Sequence, residues 1–383
     1  MYSLDSYLAM VADDLRTPAY LDAMAAVIRR GDRVLELGTG FGFFAVHACR
    51  LGAAHVWAVE PNDAIGLGPS LAAANGCADR ITFIQTVAAQ VTLPHRADVL
   101  IEDLRGMSPL QGARLDVLRD VAARLLATGA RRIATADELR IAPAELPADL
   151  APLAAESPTG RHGITIAPII ERQRQAVQRT NANASVLLAE GATWATIDLV
   201  ALPQGDPAGR VEWVARRAGQ LAGLVSWFRA TLSPGISFET APSAPPSVYD
   251  RGYLSIGAPV EVAEGDRISA RIRTRFDGAD YVWAWDVLVE RDGRPVAERK
   301  CSNLATRAMS AARRAVRAVD HRPARTPAVD GLATLVGEVN GRATLGEIAA
   351  LLRSAHPLEF PSEADALRWA GEQLARLSED PPR

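Results

Sequence analysis

Residues 33–60, RVLELGTGFGFFAVHACRLGAAHVWAVE, decide the fold. Arg33 to Leu37 has the apolar make-up of a short buried strand and stops at a glycine. Gly38-Thr39-Gly40-Phe41-Gly42 follows. Glycines at alternate positions let the backbone turn sharply and approach a ligand with no Cβ in the way. Phe43 to Leu51 has helical character with Gly52 as its stop. His55 to Val59 forms a second strand, ending in Glu60. Strand, glycine turn, helix, strand and acid make up the nucleoside-binding half of a doubly wound α/β sheet. The ligand lies across the carboxyl ends of the strands, and the acid accepts hydrogen bonds from ribose hydroxyls.

The glycine spacing is GxGxG, and position 43 is Phe. The dinucleotide fingerprint GxGxxG is therefore not matched. A pyrophosphate needs an open helix N-terminus, and here two phenylalanines crowd the turn. The spacing leans toward S-adenosylmethionine rather than NAD.

Moving outward, the 383 residues suffice for two or three domains. A net charge of −3 removes the electrostatic case for an obligate nucleic-acid partner. No apolar run approaches the ~20 residues of a membrane span. The N-terminus MYSLDSYLAMVADDL carries acids rather than a basic-then-apolar run, so the expected location is cytoplasmic. Cys49, Cys77 and Cys301 are scattered, and the six histidines form no ligand pattern, so no metal is expected.

Asp5 to Ile28 reads as an amphipathic helical entrance containing Arg16. Arg16 has two readings: a surface cation paired with Asp13 or Asp14, or a forked clamp for the carboxylate of an amino-acid cofactor. After Glu60 come a helix, a turn at Gly76 and a strand Ile81 to Ile84, then a loop, Thr86 to Ala89, expected beside the adenine. Ala97 to Ile101 is the next buried strand and runs into Glu102-Asp103-Leu104-Arg105-Gly106. Reacting groups belong at the carboxyl end of such a strand. Two adjacent carboxylates there need a cation, and Arg105 is the local candidate. Leu115 to Leu126 reads as a helix, and Arg131 to Ala142 as a strand and its return.

The proline- and alanine-rich stretch Pro143 to Pro158 is expected to be a domain boundary. From Thr193 to about Val289 the chain alternates as strands of an antiparallel sheet or barrel, after a helical insertion at Ile169 to Arg179. Ala311 to Pro327 is basic and proline-punctuated, a linker; beyond it lies a helical unit with Thr344 and Glu347 in capping-box spacing. The expected plan is α/β: a Rossmann-like nucleotide domain over residues 1–147, a β-barrel-like domain with a helical insertion over 148–312, and a small helical or winged-helix module over 328–383.

The glycine turn, Glu60 and the Glu102 loop, with their flanks, resemble the protein arginine methyltransferase family over roughly residues 2 to 300. The opening SLDSYLAMVADDLRTPAYLDAM looks like that family's N-terminal helix, whose Tyr- and Met-containing stretch folds over the cofactor. The resemblance makes Arg16 the cofactor-carboxylate arginine, Gly38, Gly40 and Gly42 the cofactor turn, and Glu60 the ribose acid. Glu102 matches the first glutamate of the double-E loop, which in the family grips the substrate guanidinium. SWFRATLSPGISFETAPSAPPSVYDRGYL resembles the start of the family's barrel. Two positions depart from the pattern. The second glutamate falls near Gln111, and the Thr-His-Trp motif aligns with Ser247-Val248-Tyr249. Residues 330–360 faintly resemble the winged-helix modules that bind leader peptides in peptide natural-product pathways.

The reading is a class I S-adenosylmethionine-dependent methyltransferase. Its expected cofactor site takes in Tyr7, Met10, Arg16, Glu36, Gly38, Thr39, Gly40, Gly42, Glu60, Pro61, Ala88 and Glu102. Glu102 is expected to orient the acceptor amine, with Asp103 or Tyr249 assisting in proton removal. A guanidinium, with a pKa above ~12, needs two carboxylates to fix its charge and plane. The lost glutamate therefore places an amine of a peptide or small molecule ahead of arginine as acceptor. A non-catalytic cofactor-binding scaffold is the alternative outside the enzyme class. A homodimer is an expectation carried by the resemblance alone, through an arm at about Ile164 to Ala192.

Overall fold

Five strands form a parallel sheet in the order β3-β2-β1-β4-β5: β1 (Arg33–Leu37), β2 (His55–Val59), β3 (Ile81–Ile84), β4 (Ala97–Glu102) and β5 (Leu126–Ile133). The computed structural model describes residues 3–151, 164–202, 204–306, 322 and 327–377. The central strands are near-continuous apolar runs, as a sheet covered on both faces requires. The register sets the site. Leu37 lies opposite both Val59 and Glu102, so the tips of β1, β2 and β4 end level with one another. Gly38, Glu60 and Asp103 are thereby delivered to one end of the sheet.

Two helices precede the sheet, α1 (Leu4–Val11) and α2 (Arg16–Val27). The sequence suggests one continuous entrance from Asp5 to Ile28, and the chain breaks it at residues 12–15. Asp13 is the reason: its Oδ1 accepts from the backbone N–H of Leu15 at 2.9 Å and of Arg16 at 2.8 Å. An aspartate satisfying its neighbours' donors in this way competes with helix continuation. The later helices of this layer are α3 (Phe43–Arg50), α4 (Gly68–Ala74) and α5 (Arg114–Leu125).

The antiparallel part begins at β6 (Ala136–Ala144) and continues through β7 (Val177–Thr180), β8 (Ala192–Asp198), β9 (Ala208–Val214), β10 (Gly219–Ser233), β11 (Ile236–Glu239), β12 (Arg251–Val262), β13 (Arg267–Phe276), β14 (Tyr281–Arg291) and β15 (Arg294–Ser302). One sheet runs β7-β12-β10-β6-β8, with β11 on β10, and a second runs β15-β14-β13-β9. The change of sheet thus falls between Ile133 and Ala136, ahead of the proline-rich stretch. Pro143 itself lies within β6, opposite Leu224. Proline lacks only the ladder donor; its carbonyl still accepts from Leu188 N–H at 2.9 Å. Residues 152–163 of the expected boundary lie outside the described residues; the expected helical insertion at Ile169 to Arg179 is a helix at Ala167–Arg174, and its last residues instead enter β7, where they pair with β12.

Two compact units result, residues 1–307 and 308–383. The parallel and antiparallel sheets share the first. Part of its joint is apolar: the Tyr20 ring of α2 sits 6.3 Å from Phe238 of β11. The second unit has helices at Pro327–Glu338, Leu345–Ala355 and Glu363–Leu377 around Leu335, Ile348, Leu352, Phe360 and Ala370. Its capping box forms: Thr344 Oγ1 accepts from Glu347 N–H, and Glu347 Oε2 accepts from Thr344 N–H at 2.8 Å. Residues 327–377 contain no strand among those described, so the wing of a winged helix is not seen there. Most of the expected linker at residues 311–327 lies outside the described residues.

Candidate active site

At the carboxyl end of the parallel sheet a cavity of about 640 Å³ opens between α1, the strand tips and the loop before β12. Its size suits a nucleoside-sized ligand. The glycine turn forms one end. Gly40 has φ +58°, and a Cβ there would meet the Tyr7 ring at 2.7 Å. Only a bare backbone lets α1 lie that close. Gly38 and Thr39 donate their N–H groups to the Val59 carbonyl at 2.9 and 3.1 Å, locking the turn to β2. Glu60 closes the same corner, its Oε2 accepting from Gly40 N–H at 3.1 Å and its Oε1 from Asn62 N–H at 2.9 Å.

Beneath the turn, Glu36 is 3% exposed. Burial pushes its carboxyl up to about 7, although the Thr39 hydroxyl donating at 2.7 Å and the positive charge of Arg16 both favour the anion. The Thr86–Ala88 loop lines the cavity with Val117, supplying apolar surface for a base.

The other end is built from charged side chains far apart in the chain. Arg16 donates through Nε to Asp103 Oδ2 at 2.5 Å and to the Tyr249 hydroxyl at 3.2 Å, and through Nη1 to the Met10 carbonyl at 3.2 Å. Its guanidinium carbon lies 4.9 Å from the Phe44 ring centre and 5.3 Å from that of Tyr20. Tyr249 donates to Asp103 Oδ2 at 2.5 Å. Asp103 Oδ1 receives Arg105 Nη1 at 3.2 Å. Arg105 also donates through Nε to Asp137 Oδ1 at 2.9 Å and through Nη1 to the Tyr20 hydroxyl at 2.8 Å. Arg114 donates through Nη1 to Asp137 Oδ2 at 2.7 Å, and through Nη2 and Nε to the two oxygens of Glu102 at 2.6 and 3.2 Å.

Three guanidiniums and three carboxylates thus alternate in one buried chain: Arg16, Asp103, Arg105, Asp137, Arg114, Glu102. Burial works against the Asp103 anion, but Arg16, Arg105 and the Tyr249 hydroxyl outweigh it and hold the carboxyl below its ordinary value. Burial and the Asp103 anion push the Tyr249 hydroxyl well above its ordinary value, so it stays a donor.

Of the residues proposed from the sequence, Tyr7, Met10, Arg16, Glu36, Gly38, Thr39, Glu60, Pro61, Ala88, Asp103 and Tyr249 line this cavity. Gly40, Gly42 and Glu102 are not among the lining residues. The glycines lie behind Tyr7 and Phe83. Glu102 is 2% exposed, with its carboxylate directed onto Arg114. Arg16 finds its carboxylate on β4 rather than in its own helix; Asp13 takes only its backbone N–H.

Sequence reasoning passed over Arg114 and Asp137 and saw Asp13 only as a candidate surface partner of Arg16. Asp13 Oδ2 accepts from Ser247 Oγ at 2.7 Å and Val248 N–H at 2.8 Å, tying the α1–α2 corner to the loop that presents Tyr249. Asp137 is fully buried at the start of an ordinary-looking strand and gives no sequence signal. Arg114 leaves a faint one: a cation in the first turn of a helix opposes the helix dipole, so it needs acids from elsewhere.

The residues present fit S-adenosylmethionine. A cradle that a Cβ would fill, an acid at the β2 tip, a buried arginine beside an apolar floor and a poorly countered buried Glu36 match a ligand with ribose, carboxylate and ammonium groups. Together the fold and the cavity define a class I S-adenosylmethionine-dependent methyltransferase.

The comparisons with known proteins refine the class. No family model matches the chain. The arginine N(omega)-methyltransferase of Streptomyces achromogenes subsp. streptozoticus is 24% identical over 275 residues, covering 70% of this chain and 75% of that protein. Protein arginine N-methyltransferase 1 of Schizosaccharomyces pombe is 31% identical over 135 residues, 33% of this chain and 40% of that one. Among solved structures, the Trypanosoma brucei PRMT1 enzyme–prozyme heterotetrameric complex with AdoHcy superposes with a TM-score of 0.70 at 17% identity, covering 77% of this chain and 97% of that one. Arabidopsis thaliana protein arginine methyltransferase 10 gives 0.68 at 19% identity, covering 78% and 97%. The chain is an S-adenosylmethionine-dependent N-methyltransferase, similar in sequence to arginine N-methyltransferases and in fold to protein arginine methyltransferases of known structure. No helix among the described residues is long and apolar enough to cross a membrane.

Proposed function

We propose that the chain methylates an uncharged amine of a peptide or small molecule. One observation carries this reading. Asp103 lines the cavity at the β4 end and is already countered by Arg16 and Arg105, Glu102 is turned onto Arg114, and the position of a second acid is the neutral amide Gln111. A cationic acceptor entering there meets no uncompensated carboxylate at the β4 end.

S-adenosylmethionine supplies the transferable methyl; Glu60, Arg16 and the glycine turn hold it. The amine nitrogen gives its lone pair to the methyl carbon as the carbon–sulfur bond breaks, and it then sheds a proton. Asp103 accepts the amine N–H and orients the lone pair, and its carboxylate, held by the Tyr249 hydroxyl as a donor, is the acceptor for that proton. Replacing Asp103 with Asn should lower methyl transfer by about 100-fold while S-adenosylhomocysteine affinity changes far less. Transfer of labelled methyl to amine panels by the variant and parent measures this, and an undiminished variant removes Asp103 from the chemistry.

A second reading, transfer to an arginine guanidino nitrogen, is favoured by the name of the Streptomyces relative. The same panel with arginine added separates the two.

The C-terminal unit supports a peptide acceptor, since it leaves Leu358 98%, Val336 52% and Leu345 41% exposed. Deleting residues 330–383 should sharply reduce transfer to long peptides and spare short ones. Equal loss on both sinks the docking role. A homodimer through the segment following residue 163 is supported by the exposure of Ile164 and Ile169, and light scattering tests it.

A further inference from the structure

Arg114 is the first residue of α5 and 3% exposed. A cation in this position opposes the helix dipole and loses its water. Three groups from other elements hold it. The Glu102 carboxylate takes Nη2 and Nε side-on, Asp137 Oδ2 takes Nη1, and the Pro109 carbonyl lies 3.4 Å from Nη1. A carboxylate fork facing one edge of a guanidinium, with a second carboxylate on the next nitrogen, is the arrangement that recognises guanidinium and no other common cation. An ammonium has neither the plane nor the paired donors.

We propose that Glu102, Asp137 and the Pro109 carbonyl form a guanidinium receptor that the chain closes with its own Arg114. Arg114 is thereby a specificity-determining residue. By occupying both oxygens of the acid at the β4 tip, it withdraws that acid from any incoming guanidinium. Arg105 completes the exclusion from the other side, pairing with Asp137 at 2.8 Å and approaching Glu102 to 3.8 Å. The inference rests on the amine-methylation reading only where it concerns the acceptor; the receptor stands without it.

Chemical rescue tests it on the full chain. Arg114→Ala should unfold at lower temperature than the parent. Millimolar ethylguanidinium should raise the variant's Tm by about 4 °C or more, leaving the parent unmoved, and ethylammonium should not. Equal rescue by the two cations overturns the proposal, because any positive charge then suffices. Arg114→Lys keeps the charge without the fork, and it covers the case in which the alanine variant does not fold. It should lose Tm, and parity with the parent again overturns the proposal. Calorimetry on the parent saturated with S-adenosylhomocysteine should show no heat with ethylguanidinium or arginine. Binding there overturns the exclusion and supports arginine as acceptor. Rescue of the variant beside a parent that fails to bind S-adenosylhomocysteine leaves the receptor standing and sinks the methyl-transfer reading.

Discussion

The two ends of the cavity are made of different material. The cofactor end is backbone: a turn whose glycines are bare because α1 and a ligand need the room, with one acid at the next strand tip. The turn and that acid come from residues 33–60. The acceptor end is side chain, three arginines against three acids, drawn from positions as distant as Arg16 and Tyr249. On the proposed reading, the first end selects its ligand by shape, and the second disfavours a cationic acceptor because its charges are already paired.

If that contrast is right, the largest effect of any single substitution should come from the charged end. Asp137→Asn leaves Arg105 and Arg114 with one carboxylate too few in a buried site. Because all three groups are buried, it should cost about 3–5 kcal/mol of stability in denaturant unfolding. A loss below about 1 kcal/mol would mean the network is weakly coupled and the contrast overdrawn.

Glu36 sharpens the comparison, since it is a buried acid at the backbone end that lacks a full counter-charge. Its folded pKa is raised to about 7 from an ordinary 4.5. Between those values the folded chain keeps a proton that the unfolded chain has lost. Stability of the cofactor-free protein from this group is therefore greatest below pH 4.5, falls as pH rises toward 7, and levels off above. The drop amounts to about 3 kcal/mol. Glu36→Gln should remove that slope, seen in unfolding midpoints across the range. Asp103, held low by Arg16 and Arg105, gives the opposite sign and acts only in acid.

The smallest effect belongs to Gly40→Ala. A left-handed φ and a 2.7 Å approach to Tyr7 should cost S-adenosylhomocysteine affinity about tenfold by calorimetry. Unchanged affinity would show that α1 yields easily and that the cradle is not shape-selective.

What was legible in the chain follows the same division. The strands of the nucleotide sheet, Glu60, the adenine-side loop and the alternating strands after Thr193 all announce themselves within short windows. Hydrophobic period and glycine spacing are local properties. The break at Asp13 and the entry of Pro143 into β6 were not legible. The first rests on a short-range side-chain bond that competes with a helix the apolar spacing favours, and the second on the Leu188 N–H brought in from elsewhere.

The amino-acid sequence by itself determined a nucleoside-type cradle across the tips of β1 and β2, because bare backbone and a strand-end acid are encoded side by side. Only the tertiary structure decided which cation each buried acid meets. Glu102 meets Arg114, and Asp103 meets Arg16 and Arg105. Ion pairing in a buried site is set by which side chains converge in space, and neighbouring letters carry no trace of that convergence.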